Sequence, residues 1–275
     1  MIVDVAADMA ANGERTPSFP VIAPDWQGVP PQVRAFSTTR VGGLSLSSYD
    51  DGLGKGGLNL GDHVGDAAVA VTANRQILGH VLPADVTWLS QIHGTIVWDA
   101  AVKAANPQAD ASSTGQKNVV CAVMTADCLP VLFSDSLGRV VAAAHAGWRG
   151  LAAGVLENTV ARMRNLGAAE IIAWLGPAIG PGQFEVGEDV LAAFSPALGE
   201  AGNPGQYFVP HAKVAGKYFA DIYGLSRAVL SRVGVDKVYG GQHCTVTEKD
   251  KFYSYRRDGV TGRMASLIWI AEEEP

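Results

Sequence analysis

Apolar residues recur along this chain in two rhythms. Short apolar runs bounded by Gly, Pro or polar residues predict strands over 34–39, 86–92, 95–99, 119–125, 131–134, 139–144, 171–175, 237–239, 252–255 and 265–270. Several of these runs lack polar alternation, so they need cover on both faces. Elsewhere, spacings of three and four predict helices. Over 151–165 they place Leu151, Val155, Leu156, Val160 and Met163 inward. Over 217–233 they gather Phe219, Ile222, Leu225, Val229 and Val233 on one side. A helix over 66–79 has Asp66 as its cap and Val69, Ala73, Ile77 and Leu78 as its apolar face, and a shorter helix covers 187–194.

Residues 1–33 are Pro-rich and read as an irregular segment lying over the surface. A Gly- and Ser-rich loop follows from Arg40 to Gly61, and a loop of that length in a compact domain is usually functional or mobile. No repeat, linker or composition break follows residue 33. Residues 34–275 therefore read as a single α+β domain, with mixed sheets covered by helices.

Composition narrows the function class. The net charge of −6 over 275 residues argues against a broad nucleic-acid surface, though a pocket can still be locally basic. Three cysteines cannot build a disulfide framework, which fits a reducing compartment. Asp4, Asp8 and Glu14 make residues 1–15 a poor signal peptide, and no apolar run reaches the roughly 18 residues of a membrane span. The expectation is a soluble cytoplasmic protein with no nucleic-acid or membrane partner.

Three strand ends carry the chemistry: Ser90-Gln91-Ile92-His93-Gly94, Thr125-Ala126-Asp127-Cys128-Leu129-Pro130 and Ala143-Ala144-His145-Ala146-Gly147-Trp148-Arg149-Gly150. Two imidazoles and a thiolate suit a catalytic zinc with its fourth position open. The same residues also suit a Cys/His nucleophile pair with an orienting histidine. Cys128 follows His93 by 35 residues and precedes His145 by 17, too far apart for a local zinc finger, so strands must gather them. Gly147-Trp148-Arg149-Gly150 opens a predicted helix, whose N–H groups and Arg149 can hold an anion such as phosphate. Weaker candidates are Arg40, Asn59, Asp62 and His63 around the Gly-rich loop, and Arg256 and Arg257 after an aromatic run. Asp62 reads equally as a general base or as a turn residue. Cys244 beside His243 is too small a set for a second metal site and reads as structural.

Further motifs occur in a recognisable order: Thr38-Thr39-Arg40-Val41-Gly42-Gly43, Asn59-Leu60-Gly61, Gln91-Ile92-His93-Gly94, Ala126-Asp127-Cys128-Leu129-Pro130, His145-Ala146-Gly147-Trp148-Arg149-Gly150, Gly176-Pro177-Ala178-Ile179-Gly180 and Gly262-Arg263. Over roughly residues 34–271 the chain resembles the YfiH-like family, also called the multicopper polyphenol oxidase, laccase-domain or peptidoglycan-editing-factor family. It departs from the family pattern at 48–58, where the link into Asn59 looks longer.

The resemblance implies two mixed sheets between helices, in a fold related to a bacterial toxin deamidase with a Cys/His site. It implies that His93, Cys128 and His145 are the catalytic and metal-binding set, with zinc, or copper in its place. It also implies purine nucleoside chemistry: phosphorolysis of adenosine, inosine, guanosine or methylthioadenosine, and deamination of adenosine. Arg40, Asn59, Asp62, Arg149 and Arg257 are then the candidates for holding nucleoside and phosphate, and a monomer is expected. The alternatives are a Cys/His amide hydrolase that edits cell-wall precursors, copper-dependent polyphenol oxidation, and a non-catalytic nucleotide or sugar sensor. True multicopper chemistry joins a single copper to a trinuclear cluster and needs many imidazoles, whereas this chain has six histidines in all.

Overall fold

The computed structural model describes residues 17–198 and 203–272. Residues 1–16 of the expected irregular segment lie outside them. The chain begins with β1 (Val21–Ile22), β2 (Val33–Thr38), β3 (Val41–Ser45), α1 (Ala68–Gly79), β4 (Val97–Asp99) and β5 (Ala111–Thr114). β6 (Cys121–Thr125), β7 (Leu129–Asp135), β8 (Val141–Ala146), α2 (Trp148–Ala153), α3 (Val155–Asn165) and β9 (Ile171–Leu175) form the centre. β10 (Glu185–Gly187), α4 (Glu188–Leu198), β11 (Phe208–Pro210), β12 (Lys217–Ala220), α5 (Ile222–Arg232), β13 (Lys237–Gly240), α6 (Tyr255–Asp258) and β14 (Met264–Ile270) follow.

The α+β expectation holds. A six-stranded sheet runs β13-β9-β7-β8-β5-β4 and is mixed, with parallel pairs at its two edges. An antiparallel four-stranded sheet runs β1-β2-β14-β6, and a small antiparallel sheet runs β10-β12-β11.

Period-2 alternation builds the layers. Val131 and Phe133 of β7, with Ala142, Ala144 and Ala146 of β8, pack with Leu156, Val160 and Met163 of α3 and Leu225 and Val229 of α5. The small alanines let α3 lie close to the sheet. Leu132, Val141 and Ala143 point the other way and meet Cys121, Val123, Ile268 and Ile270 of the four-stranded sheet. That sheet's far face, with Phe36, Met124, Leu267 and Trp269, is covered by Leu58, Leu60 and Leu78. β6, β7, β8, β9 and β14 are buried along their whole lengths, which is why their sequences lack polar alternation.

Several local expectations change. The run 86–92 forms no strand, because Ser90 alone bridges to Gln108. Residues 252–254 are buried but form no strand, and Ser254 accepts a hydrogen bond from Arg257 N to cap α6. The expected helix 217–233 splits: 217–220 is β12, and Asp221 accepts from Gly224 N to start α5. Gly154, at φ 103°, breaks the expected helix 151–165 into α2 and α3. Asp66 does not cap α1; its carboxylate accepts from Ser45 Oγ and Asn59 Nδ2 instead. Val69 is exposed, and Val71, Asn74 and Leu78 form the buried face of α1. β3 lies within the stretch expected to be loop. No helix among the described residues is long and apolar enough to cross a membrane.

Candidate active site

His145 is the last-but-one residue of β8. It continues the Val141 and Ala143 row on the face between the two large sheets, and it is buried. Cys128, half-buried, occupies the turn from β6 to β7. Asp127 before it has φ 86°, a left-handed conformation costly for a residue with a side chain. Three hydrogen bonds hold it there. Its carboxylate accepts from Thr245 Oγ1 and Arg256 N, each at 2.6 Å, and its carbonyl accepts from Ile179 N at 2.9 Å.

His93 sits in a second left-handed turn, with φ 60°. The turn aims three consecutive N–H groups at one buried carboxylate. Asp110 accepts from Ile92 N at 3.2 Å, His93 N at 2.9 Å and Gly94 N at 2.6 Å. The same carboxylate lies 2.8 Å from His145 Nδ1, which leaves Nε2 of that ring for the site. Burial would raise the Asp110 carboxyl, but His145 and the N–H groups outweigh it and hold it below the usual carboxylate range.

The three side chains converge. Cys128 Sγ lies 3.7 Å from His93 Nε2, the two imidazole rings meet edge-on with centroids 4.8 Å apart, and the ligand atoms of all three residues lie within 4.8 Å of one another. Gly147 leaves the room. A Cβ there would stand 2.6 Å from His93 Cδ2 and 3.1 Å from Cys128 Sγ. Burial pushes the Cys128 thiol up, yet the two imidazoles outweigh it and bring it down to about 6. Burial pushes His145 down, yet Cys128 and Asp110 raise it to about 9.

These donors fit a metal ion. Zinc ligated tetrahedrally by sulfur and nitrogen sets them about 3.6 Å apart, close to the Cys128–His93 separation. The Asp110–His145 bond supplies the carboxylate support common behind metal-bound imidazoles.

The other expected residues divide. α2 begins directly behind His145, as its motif predicts, and Arg149 is exposed with its guanidinium over the Trp148 ring. Arg40, Asn59, Asp62 and Arg257 are engaged within the protein itself. Arg40 donates to the carbonyls of Asp50 and Lys249. Arg257 donates to the carbonyls of Thr245, Val246 and Phe252 and to Asp258. Asn59 bonds Gly61, Asp66 and Arg263 N, and Asp62 pairs with Arg75 and His63. Arg40 and Arg257 share a cleft of about 430 Å³ with Asp50, Lys249 and Asp258, and its walls include none of the three converging residues. Cys244, a free half-buried thiol, accepts from Gly180 N at 3.2 Å and lies outside the converging set.

Residues 34–271 match the family described as multi-copper polyphenol oxidoreductase laccase. The chain belongs to this family. Curated relatives include a purine nucleoside phosphorylase of Haemophilus influenzae, 48% identical over 90% of this chain and 98% of that one. The purine nucleoside phosphorylase YfiH of Escherichia coli is 49% identical over 91% and 98%. Among solved structures, a Neisseria meningitidis protein superposes with a TM-score of 0.82 at 50% identity, covering 92% of this chain and 99% of that one. YlmD of Geobacillus stearothermophilus gives 0.77 at 30% identity over 88% and 93%.

Within this laccase-named family, the present member brings together three metal-ligand side chains in a single group among its described residues. That set suits one ion, not the several coppers of the family description. Asp110 and Gly147 are part of the site although the hydrophobic pattern does not mark them. Asp110 directly precedes β5, which is buried throughout, a strand the apolar pattern does not predict.

Proposed function

We propose that this chain is a metal-dependent purine nucleoside phosphorylase whose reaction takes place at His93, Cys128 and His145. The observation that carries this reading is the convergence of three soft donors around the space left by Gly147. The names of the Haemophilus and Escherichia relatives support the substrate class. Zinc, or copper in its place, would be held by the three donors and would supply a Lewis acid beside the substrate. The chain's own part is to preorganise. Asp110 fixes the His145 tautomer, and the left-handed turn presents His93. Deamination of adenosine to inosine is the second branch of the same reading.

The pKa pattern favours one alternative, a Cys/His amide hydrolase acting on a cell-wall precursor. Without metal, Cys128 is the nucleophilic thiolate and His145 the protonated partner, oriented by Asp110 as the third member of a triad.

Chromatography of adenosine and inosine, with and without phosphate, beside Cys128→Ala, separates the readings. Free base that appears only with phosphate and vanishes in the variant is the expected result. Inosine formed from adenosine identifies the second branch. Unchanged nucleosides throughout would overturn both branches. Amide hydrolysis that survives chelation and is lost on thiol alkylation would establish the hydrolase.

A further inference from the structure

The arginines expected to meet phosphate differ in how many donors remain available. All three guanidinium nitrogens of Arg40 and of Arg257 reach protein acceptors. Arg263 is different. Its Nη1 donates to the carbonyls of Thr261 and Gly262, each at 3.1 Å, while its Nε and Nη2 have no protein acceptor among the described residues. It also has no carboxylate within ion-pair distance there.

The sheet places Arg263 at the candidate active site. It directly precedes β14, whose first residue Met264 pairs with Thr125, the last residue of β6. Cys128 is three positions beyond Thr125, so both residues leave the same end of the sheet. Burial pushes the Arg263 guanidinium down, while the negative groups of Cys128 and Asp127 are near enough to push it back up; its charge in turn contributes, after burial, to lowering His63. Asp127 forms no ion pair with it within 4 Å; its two carboxylate oxygens accept from Thr245 Oγ1 and Arg256 N.

The side chain is also held in place. Asn59 Oδ1 accepts from Arg263 N at 2.8 Å, and Leu60 N donates to Arg263 O at 3.1 Å. Its stem runs over Gly61, where a Cβ would stand 2.8 Å from Arg263 Cγ. Arg149, by contrast, is exposed and lies over Trp148. A half-buried guanidinium with a seated stem and open donors is suited to bind an oxyanion.

We infer that Arg263 forms the phosphate subsite of this centre, receiving free inorganic phosphate beside Cys128. The inference deepens the phosphorolysis reading and rests on it for the role of the anion. It assigns Asn59 and Gly61 to placing Arg263 rather than to touching ligand.

Calorimetric titration of inorganic phosphate, with adenosine monophosphate in parallel, into wild type, Arg263→Gln and Arg263→Lys tests it without requiring turnover. The expected result is phosphate binding weakened about 10- to 100-fold in Arg263→Gln, the loss of a charged hydrogen bond, and partly restored in Arg263→Lys. In turnover assays the KM for phosphate should rise while the KM for nucleoside stays within about twofold. Equal thermal midpoints for the two variants exclude a folding effect. A wild-type chain that binds no phosphate, binds only the nucleotide, or loses nothing in Arg263→Gln overturns the inference. Arg263-dependent phosphate binding without nucleoside cleavage would leave the subsite standing and remove phosphorolysis. Phosphate-dependent cleavage insensitive to Arg263→Gln would do the reverse.

Discussion

The turn-rich cluster around Arg40, Asn59 and Arg257 and the converging cluster around His93, Cys128 and His145 are both polar and both carried by family motifs. They differ in where their polar atoms point. In the first, guanidinium and amide groups close on the protein's own carbonyls, which is how a loop rich in Gly acquires a fixed shape. In the second, Asp110 and Asp127 take the hydrogen bonds to the backbone and leave the soft donors facing one another. A motif residue can thus serve either a ligand or the chain that presents the ligand site, and its hydrogen-bond partners distinguish the two.

The contrast breaks most severely at Asp110. Asp110→Ala leaves three N–H groups and an imidazole without their shared acceptor, and a loss of about 3 to 5 kcal/mol in urea unfolding is expected, together with loss of turnover. Gly147→Ala should cut turnover about 100-fold or more through crowding of His93 and Cys128, with metal content by mass spectrometry falling in parallel and the fold kept. On the other side of the comparison, Arg40→Gln should lower stability by about 1 to 3 kcal/mol while the KM for phosphate changes less than about twofold. An equal rise in that KM would erase the distinction between the two clusters.

The smallest effect is one of pH. In metal-free protein the Cys128 thiol lies near 6, so thiolate predominates above that value and is lost as pH falls through it. His145 lies near 9 and keeps its proton until the pH rises through that value. Iodoacetamide labelling of Cys128, followed by peptide mass spectrometry, should therefore stay nearly flat from pH 7 to 8 and halve near pH 6. A rate rising tenfold per pH unit up to 8 would mean an ordinary thiol.

Where burial dictated the residues, the chain could be read directly. The largely apolar strands β6 to β9 and β14 follow from their composition, and Val155, Leu156, Val160 and Met163 of α3 face inward as its spacing selects, with Thr159 buried beside them. His145 was legible because it ends such a strand. Long-range partners decided the rest. Residues 86–92 have a strand's pattern but find a bridge only at Ser90, and Phe252 and Tyr253 are buried in the irregular segment that leads into α6. Asp66 reads as a cap, but Ser45 at the end of β3 and Asn59 come within reach of its carboxylate and take it instead. Asp110 is a single letter in the sequence, and only folding shows that four donors share it.

That sharing sets a rule for anyone who would move this centre into another scaffold. Copying the two histidines and the cysteine alone would graft the donors without their mount. The turn of Ile92 to Gly94 and the His145 ring are anchored on the same two oxygens, so tilting one drags the other. A transplant must carry Asp110 and the bare Gly147 along with the three donors, and altering one histidine at a time will disturb both.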